Sequence, residues 1–169
     1  MKPSTLDEVY RKYMMDVYRY LRLLCHDDAT AEDLVQETFY RAYIHLENYK
    51  DENVKPWLFR VAYNAFIDML RKESRSVVRD NTFFHGLADS SASRPEALTL
   101  LKETMEEVEE WISALPDLQQ QAILLFDMNQ FSYQEAANIM GVTLSHFKIL
   151  LFRARQGLRR NRERSDEVE

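Results

Sequence analysis

The sequence predicts an all-α protein made of two small helical domains joined by a flexible linker. Glycine and proline are scarce, at three and four residues of 169, and runs of β-branched residues are rare. Apolar residues recur three and four positions apart over long segments, which is the spacing of one face of a helix. Hydrophobic residues make up 46% of the chain, which is enough for packed cores and argues against disorder.

The first domain is predicted over residues 1–73 and contains three helices. The first runs from Leu6 to Cys25 with one apolar stripe, and Thr5 and Glu8 are spaced as a capping pair at its start. The second helix begins near Thr30, and its apolar face carries Leu34, Val35, Thr38, Phe39, Ala42 and Tyr43. The third has Pro56 in its first turn, followed by a stripe of Trp57, Leu58, Val61, Ala62, Ala65, Phe66, Met69 and Leu70.

Residues 74–94 are predicted to be the linker, because turn-forming residues are frequent there and no helical period persists. Phe83, Phe84 and Leu87 are unusual in a purely flexible tether. They dock either on a partner or on the first domain, and the pattern does not decide between the two.

The second domain is predicted over residues 95–165 and contains four helices. Pro95 opens the first of them, which ends at Leu115-Pro116, and the next covers about Asp117 to Phe126. Ser132 and Glu135 are spaced as a capping box for a short helix that reaches Met140. After a turn at Gly141, the last helix runs from about Leu144 to beyond Arg160.

The segment Tyr133–Phe152 fits a helix-turn-helix. Ala137 lies four residues before Gly141, so two helices can pack closely and the chain can turn sharply. The second helix of the pair is then held by Met140, Val142, Phe147 and Leu151. Two helices of any bundle can imitate this pattern, so the neighbouring charge is the second observation that favours DNA binding.

Charge is distributed unevenly along an acidic chain. The net charge is −6, but the segment from Lys148 to Arg164 holds seven basic side chains and one acid, Glu163, a local charge of +6. Local positive potential is what a phosphate-facing surface needs. The alternative is a solvated helix end.

Neither disulfides nor membrane insertion are expected. Cys25 is the one cysteine, which excludes an intramolecular disulfide and fits a reducing compartment. The start of the chain has no apolar signal segment, and no uncharged stretch approaches the roughly 18 residues that span a bilayer. The sequence therefore predicts a cytoplasmic protein.

Two pairs of segments resemble the extracytoplasmic-function (ECF) sigma factors, group IV of the sigma-70 family. Ala31–Tyr43 and Lys55–Lys72 resemble their region 2, and Ser113–Val142 and Phe147–Arg160 resemble their region 4. The resemblance implies a subunit that binds core RNA polymerase and directs promoter recognition and transcription initiation in a stress or cell-envelope response. No cofactor, metal or enzymatic activity is expected, because the sequence shows neither a Gly-rich phosphate loop nor a Ser/His/Asp constellation, and its histidines lack ligand spacing.

The resemblance assigns polymerase binding to the second helix, at Asp33, Gln36, Glu37 and Arg41, whose spacing places them on one polar face. The alternative is a solvated face without a partner.

By the same resemblance, the loop before the third helix and the helix itself hold the −10 element of the promoter. A flipped base needs stacking surface and an amide for its edge. The expected contacts are Asn48, Tyr49, Lys50, Arg60, Tyr63, Asn64, Arg71 and Lys72, with Phe59 and Arg75 nearby.

For the −35 element, the resemblance and the groove-facing surface give Ser145, His146, Lys148, Phe152, Arg153 and Arg155. Ile149 and Leu150 depart from the family, whose members commonly carry a small polar residue and then a basic one there. Two apolar residues there remove possible groove contacts, so the resemblance carries no −35 base contact over to Ile149, while Lys148, Phe152 and Arg153 still match the family.

The resemblance also implies an anti-sigma factor, expected to be membrane-anchored, that holds both domains away from polymerase. Two small domains without an evident mutual interface would be easily captured. Candidate docking residues are the apolar ones that look surplus to each core: Phe83, Phe84, Leu87, Ile149 and Leu150. The alternative is that these residues are buried within the protein itself.

Two rival functions remain to be weighed. A helix-turn-helix regulator that does not replace the housekeeping sigma factor explains Tyr133–Phe152 but leaves Ala31–Lys72 without a role. A metal-dependent phosphohydrolase is suggested by His26-Asp27-Asp28, but the four histidines lack ligand spacing.

Overall fold

The computed structural model describes residues 5–45, 54–76 and 106–168, and these residues form helices and short connections. The helices are Leu6–Cys25 (α1), Asp28–His45 (α2), Val54–Ser76 (α3), 106–113 (α4), Asp117–Ile123 continuing as a π-helix over Leu124–Met128 (α5), Tyr133–Met140 (α6) and Leu144–Val168 (α7). Helices α1, α2 and α3 form an amino-terminal bundle, and α5, α6 and α7 form a carboxy-terminal bundle that α4 joins through hydrogen bonds to α7. The all-α prediction is confirmed. No helix within these ranges is long and apolar enough to cross a membrane.

Side-chain caps define the junction between α1 and α2. Helix α1 ends at His26, whose φ of 59° turns the chain out of the helix. The Asp27 carboxylate then accepts hydrogen bonds from the backbone N–H of Thr30 at 2.9 Å and from its hydroxyl at 2.6 Å. These bonds hold the pKa of Asp27 below its usual range and start α2 at Asp28, two residues earlier than the sequence pattern indicated.

The core of the amino-terminal bundle follows the predicted stripes with exceptions near the helix ends. Val17, Leu21, Ala42 and Leu58 are fully buried. Tyr43 and Leu70, which were expected in the core, are 65% and 39% exposed. They lie in the last turns of helices that run past the packed part of the bundle. Helix α3 also continues to Ser76, so the first three residues of the predicted linker are helical, and residues 77–94 lie outside the described residues.

A π-helical turn shapes the middle of the carboxy-terminal bundle. The sequence pattern ended this helix at Phe126, but the chain continues to Met128 in the wider helix. The Asn129 side-chain amide donates to the Leu124 carbonyl at 2.7 Å. Gln130 then takes a φ of 61°, and Phe131 turns inward, with 4% of its surface exposed.

Helix α7 packs closely on the connection between α4 and α5. An added Cβ at Gly157 would collide with the Leu115 side chain, so a larger residue here would require Leu115 to move. The Asn161 amide donates to the Trp111 carbonyl at 3.0 Å. Glycine and amide together fix the direction of α7.

The two bundles pack against each other, contrary to the expectation of domains without a mutual interface. Phe59 of α3 is fully buried, with its ring centroid 5.0 Å from that of Tyr20 and 4.9 Å from that of Phe131. The Tyr20 hydroxyl, also buried, donates to Gln121 Oε1 at 2.6 Å. We call these four residues the bundle interface. The sequence pattern missed it because Tyr20 and Phe59 lie off the predicted apolar stripes of their helices.

Charged groups border the bundle interface. Arg22 donates to the Glu109 carboxylate at 2.7 Å, and His26 Nδ1 lies 3.3 Å from the same carboxylate. These partners, His26 first, lower the pKa of Glu109. Lys55 Nζ lies 5.3 Å from the centroid of the Phe131 ring and donates to the Asn129 carbonyl at 3.3 Å. Polar bonds between the two bundles therefore border the aromatic contact of the bundle interface.

Removal of the buried hydroxyl should destabilise the protein. Tyr20→Phe leaves the Gln121 carbonyl oxygen without its donor, and burial raises the pKa of Tyr20 so that the hydroxyl always carries its proton. We expect a loss of about 1–3 kcal/mol in the free energy of unfolding, measured by urea denaturation.

Tyr18→Phe is the matched control for this substitution. The Tyr18 hydroxyl donates to Asp28 at 3.2 Å in an exposed position, so its loss should cost less than about 0.5 kcal/mol. Equal effects of the two substitutions would contradict the role given to Tyr20.

Candidate nucleic-acid interface

Helices α6 and α7 form the predicted helix-turn-helix. Ser132 and Glu135 make a reciprocal capping box at the start of α6, and Gly141 ends it with a φ of 70°. Ala137 and Phe147 are fully buried between the two helices. The close packing and the left-handed glycine are the features that the sequence pattern required.

The first turns of α7 present polar and basic groups to solvent. Thr143 Oγ1 accepts from the backbone N–H of His146 at 3.1 Å and caps the helix. All of the residues predicted to contact the −35 element are exposed: Ser145, His146, Lys148, Phe152, Arg153 and Arg155. Ile149 is exposed as well, whereas Leu150 is buried with 6% of its surface exposed. The prediction that Leu150 is free to dock on a partner is therefore wrong, because it belongs to the core.

Arg155 differs from the other basic residues of α7 because it is already paired. Its guanidinium binds the Asp127 carboxylate through two hydrogen bonds, of 2.7 and 3.2 Å, and lies 5.3 Å from the Phe126 ring centroid. Asp127 raises the pKa of Arg155. The pair braces α7 against the π-helical turn, and it offsets the positive charge that Arg155 was expected to offer to DNA.

Lys148 lies on the same side of α7 as Arg155. Its Nζ is 5.6 Å from the Tyr133 ring centroid, and Tyr133 in turn stacks on Phe126 with centroids 4.6 Å apart. The aromatic stack orients the ammonium group without neutralising it.

A shallow polar groove of about 450 Å³ runs along the other side of α7. Three arginines line it, Arg153, Arg160 and Arg164, beside Gln119 of α5. Their spacing of seven and four residues keeps the three guanidinium groups on one edge of the helix.

The predicted polymerase-binding face of α2 is only partly free. Asp33, Gln36 and Glu37 are exposed, as their spacing predicted. Arg41 is half-buried and donates to Glu37 at 2.9 Å and to Asp68 of α3 at 2.8 Å. Both partners, Glu37 first, raise the pKa of Arg41. Arg41 thus ties α2 to α3.

A polar stripe follows the outer side of α3. Arg60, Asn64 and Arg71 lie four and seven residues apart and are exposed, and Lys72 is exposed beside them. Tyr63 is half-buried, and burial raises its pKa. The side chains of Asn48, Tyr49, Lys50 and Arg75 lie outside the described residues.

Phe59 does not belong to this stripe. The sequence pattern placed it near the expected −10 contacts, but its ring is enclosed by the bundle interface. Its side chain therefore offers no stacking surface to a base in this arrangement. An apolar residue off the main stripe of α3 was the signal for a second buried face.

The His26-Asp27-Asp28 segment, whose residue types suggested a metal site, has structural roles. His26 ends α1, Asp27 caps α2, and the Asp28 carboxylate accepts from Arg22 Nε at 2.6 Å. Within the described ranges, no group of three or more His, Cys, Asp or Glu side chains is placed to hold a metal ion.

Two family models match the chain in order. Residues 9–76 match Sigma-70 region 2, and residues 105–158 match Sigma-70 region 4. The first match spans α1 to α3 with the intervening loop, and the second includes the helix-turn-helix as far as Leu158 of α7.

Individual relatives agree with the family models. The chain is 42% identical to the ECF RNA polymerase sigma factor SigM of Bacillus subtilis (strain 168), over 96% of this chain and 99% of that protein. Its fold is similar to that of the sigma factor RpoE from Bartonella quintana in complex with the anti-sigma factor NepR, with a TM-score of 0.74, 23% identity and coverage of 93% of this chain and 98% of that one. It is also similar to CnrH in complex with the cytosolic domain of CnrY, with a TM-score of 0.65, 20% identity and coverage of 90% and 84%.

Two sigma-70 regions in one chain, together with 42% identity to SigM over 99% of that protein, leave one assignment: the chain belongs to the ECF RNA polymerase sigma factors of the sigma-70 family.

Proposed function

We propose that this chain binds core RNA polymerase in the cytoplasm, places the amino-terminal bundle on the −10 element and the carboxy-terminal bundle on the −35 element, and so starts transcription at a set of promoters. The proposal rests mainly on one observation. A basic recognition helix and a separate polar stripe with an exposed amide lie on two bundles of one chain. A regulator that binds DNA without entering polymerase is not favoured, because it leaves the match of residues 9–76 to region 2 unexplained.

Charge and shape support the assignment of α7 to the −35 duplex. Lys148 lies on one side of the helix, and Arg153 and Arg160 lie on the other. An α-helix fits the major groove of B-DNA, where phosphates line both walls and base edges form the floor. Basic groups on both edges of the helix match the two walls.

The outer stripe of α3 supports the assignment to the −10 element. The Asn64 side chain offers both a hydrogen-bond donor and an acceptor, which suits the edge of an unpaired base. Arg60 and Arg71 lie on the same face and suit the phosphates of a single strand.

Simultaneous use of both elements requires that the bundles separate. Helix α3 has 23 residues and is about 35 Å long. It packs on α6, and α6 packs on α7, with about 8–10 Å between the axes of packed helices. Phe59, five residues before Asn64, contacts Phe131, and Lys148 contacts the ring of Tyr133. Asn64 and Lys148 are therefore within about 55 Å of each other, whereas −10 and −35 are about 85 Å apart at 3.4 Å per base pair.

The connection between the bundles is long enough for this separation. The roughly thirty residues between Ser76 and Glu106 reach at most about 100 Å when fully extended. Polymerase binding would then select the open arrangement, and the closed arrangement would be the resting form of the free chain.

We also propose an anti-sigma factor as the inhibitory partner, anchored in the membrane as the family resemblance implies. Two solved relatives of the same fold are complexes, one with the anti-sigma factor NepR and the other with the cytosolic domain of CnrY. A partner that binds across both bundles would hold the closed arrangement and keep the two DNA-facing surfaces from engaging their promoter elements together.

Run-off transcription with core polymerase on a promoter library tests the function directly. Core polymerase with the chain should initiate at a common pair of elements, and neither component alone should do so. If the chain alone protects specific duplex sites and adds no initiation to core polymerase, the regulator function is correct instead.

Substitution of the exposed α2 face should weaken polymerase binding. Asp33→Ala and Gln36→Ala remove exposed polar groups without touching the core, and we expect each to raise the Kd for core polymerase about 5- to 30-fold in a competition assay, equivalent to about 1–2 kcal/mol. Asp7→Ala is the matched control, because Asp7 is a 69% exposed carboxylate on α1. If all three variants bind core polymerase equally well, α2 is not part of the polymerase interface.

Neutralisation of Lys148 should reduce promoter affinity in a way that reports its contact. If Lys148 binds phosphate, Lys148→Ala lowers the slope of log K against log salt concentration by about one. If it binds a base, affinity falls by about 1–3 kcal/mol at one promoter position. Lys12→Ala, an exposed lysine of α1, should change neither quantity in the holoenzyme.

Loss of the Asn64 amide should affect promoter opening and leave polymerase binding intact. Asn64→Ala removes an exposed side chain that bears no core contact, so the fold should persist. Permanganate footprinting of the −10 region should show reduced melting or altered base preference. If the Asn64→Ala variant melts every −10 sequence as the wild type does, Asn64 is not part of the strand-binding site.

A further inference from the structure

Two large apolar side chains lie together on the solvent face of α7. Ile149 is 49% exposed and Phe152 is 63% exposed, while the opposite face is buried through Phe147, Leu151 and Ala154. Single exposed apolar residues are ordinary on protein surfaces. These two are neighbours at a spacing of three and lie at the centre of the exposed face, where the helix surface is farthest from the core.

Polar and basic side chains enclose this apolar pair. At 3.6 residues per turn, Ser145 precedes Ile149 along the same line, and Gln156 follows Phe152. All four residues are exposed, and we call them the central strip. Lys148 and Arg159 border it on one side, and Arg153 and Arg160 border it on the other.

The borders identify the occupant as duplex DNA. One row of cations on each side of the central strip matches one of the two phosphate walls of a major groove, which is about 12 Å wide. The C5-methyl group of thymine is the apolar feature that base edges present on the floor of that groove. An isoleucine cannot hydrogen-bond to a base, but it can bury a methyl group.

We propose that Ile149, supported by Phe152, reads thymine methyl groups in the −35 element, and that this apolar contact sets the sequence preference of α7. The inference rests on the proposed function and specifies the chemistry of its −35 site. Ile149 thus contributes specificity through methyl burial, in place of the hydrogen bond that a polar residue would make at this position.

Helix geometry gives the spacing of the thymines. Three residues of an α-helix rise about 4.5 Å, and neighbouring base pairs are about 3.4 Å apart. Ile149 and Phe152 therefore face the same base pair or adjacent ones, on either strand. We expect a preference for thymine at one or two neighbouring positions of the element.

Deoxyuridine tests the contact because it lacks only the methyl group. Holoenzyme reconstituted from the full chain and core polymerase selects promoter fragments from a library with a randomised −35 element, synthesised with either thymidine or deoxyuridine. We expect a thymine preference in the first library that disappears in the second. Replacing one selected thymine by deoxyuridine should weaken binding about fourfold per buried methyl group.

Two variants separate this inference from the proposed function. Ile149→Ala should abolish the difference between thymidine and deoxyuridine, whereas Lys148→Ala should weaken binding to both by the same factor. If wild-type holoenzyme selects a −35 element but binds thymidine and deoxyuridine equally, the methyl contact is refuted and the sigma-factor function stands. If no −35 element is selected, the proposed function fails as well. Relief of anti-sigma inhibition by Ile149→Ala, with no effect of deoxyuridine, would assign the strip to a protein partner and overturn the inference.

Discussion

Burial of Phe59 against Tyr20 and Phe131 is the contact on which the arrangement of this protein depends. It gives α3 a second buried side, next to the one that packs on α1 and α2, and leaves its outer stripe exposed. Because Phe131 follows the π-helical turn and precedes α6, the same contact positions the recognition helix relative to α3. Under the proposed function, the bundle interface therefore leaves the outer stripe of α3 and the solvent face of α7 exposed but too close together for the two promoter elements.

The energetic consequence is a competition between closed and open arrangements. Under the proposed function, polymerase must overcome the aromatic contacts, the buried Tyr20–Gln121 hydrogen bond and the polar bonds that border them. An interaction partner shifts a two-state equilibrium only by its difference in affinity for the two states. A shift from 1:99 to 99:1 takes about 5.5 kcal/mol. An inhibitor that recognises the closed arrangement needs a smaller difference in binding free energy than polymerase does, because the free chain already adopts that arrangement. Under the proposed function, the closed packing therefore keeps the chain inactive until polymerase binds.

The sequence predicted the parts of this protein that local patterns encode. The bounds of α1, the capping box at Ser132 and the glycine turn at Gly141 follow from short-range spacing, and the structure has all three. Patterns that depend on distant partners were harder to interpret. Tyr20 and Phe59 are buried by residues of the other bundle, so a search for one stripe per helix passed over them. Leu150 looked surplus because the pattern did not show how closely α7 lies against its neighbours, and the pairing of Arg155 with Asp127 depends on a π-helical turn with no simple sequence signal.

The closed arrangement of the free chain and the open arrangement proposed for the holoenzyme differ in the distance between the two bundles. Fluorophores placed by cysteine substitution at Lys12 and Gln134, both exposed, in a Cys25→Ser background, would report it by single-molecule energy transfer. We expect one high-transfer population for the free chain, which gives way to a low-transfer population when core polymerase is added. A free chain that already shows low transfer, or a transcribing holoenzyme that keeps the high transfer of the free chain, would contradict this expectation.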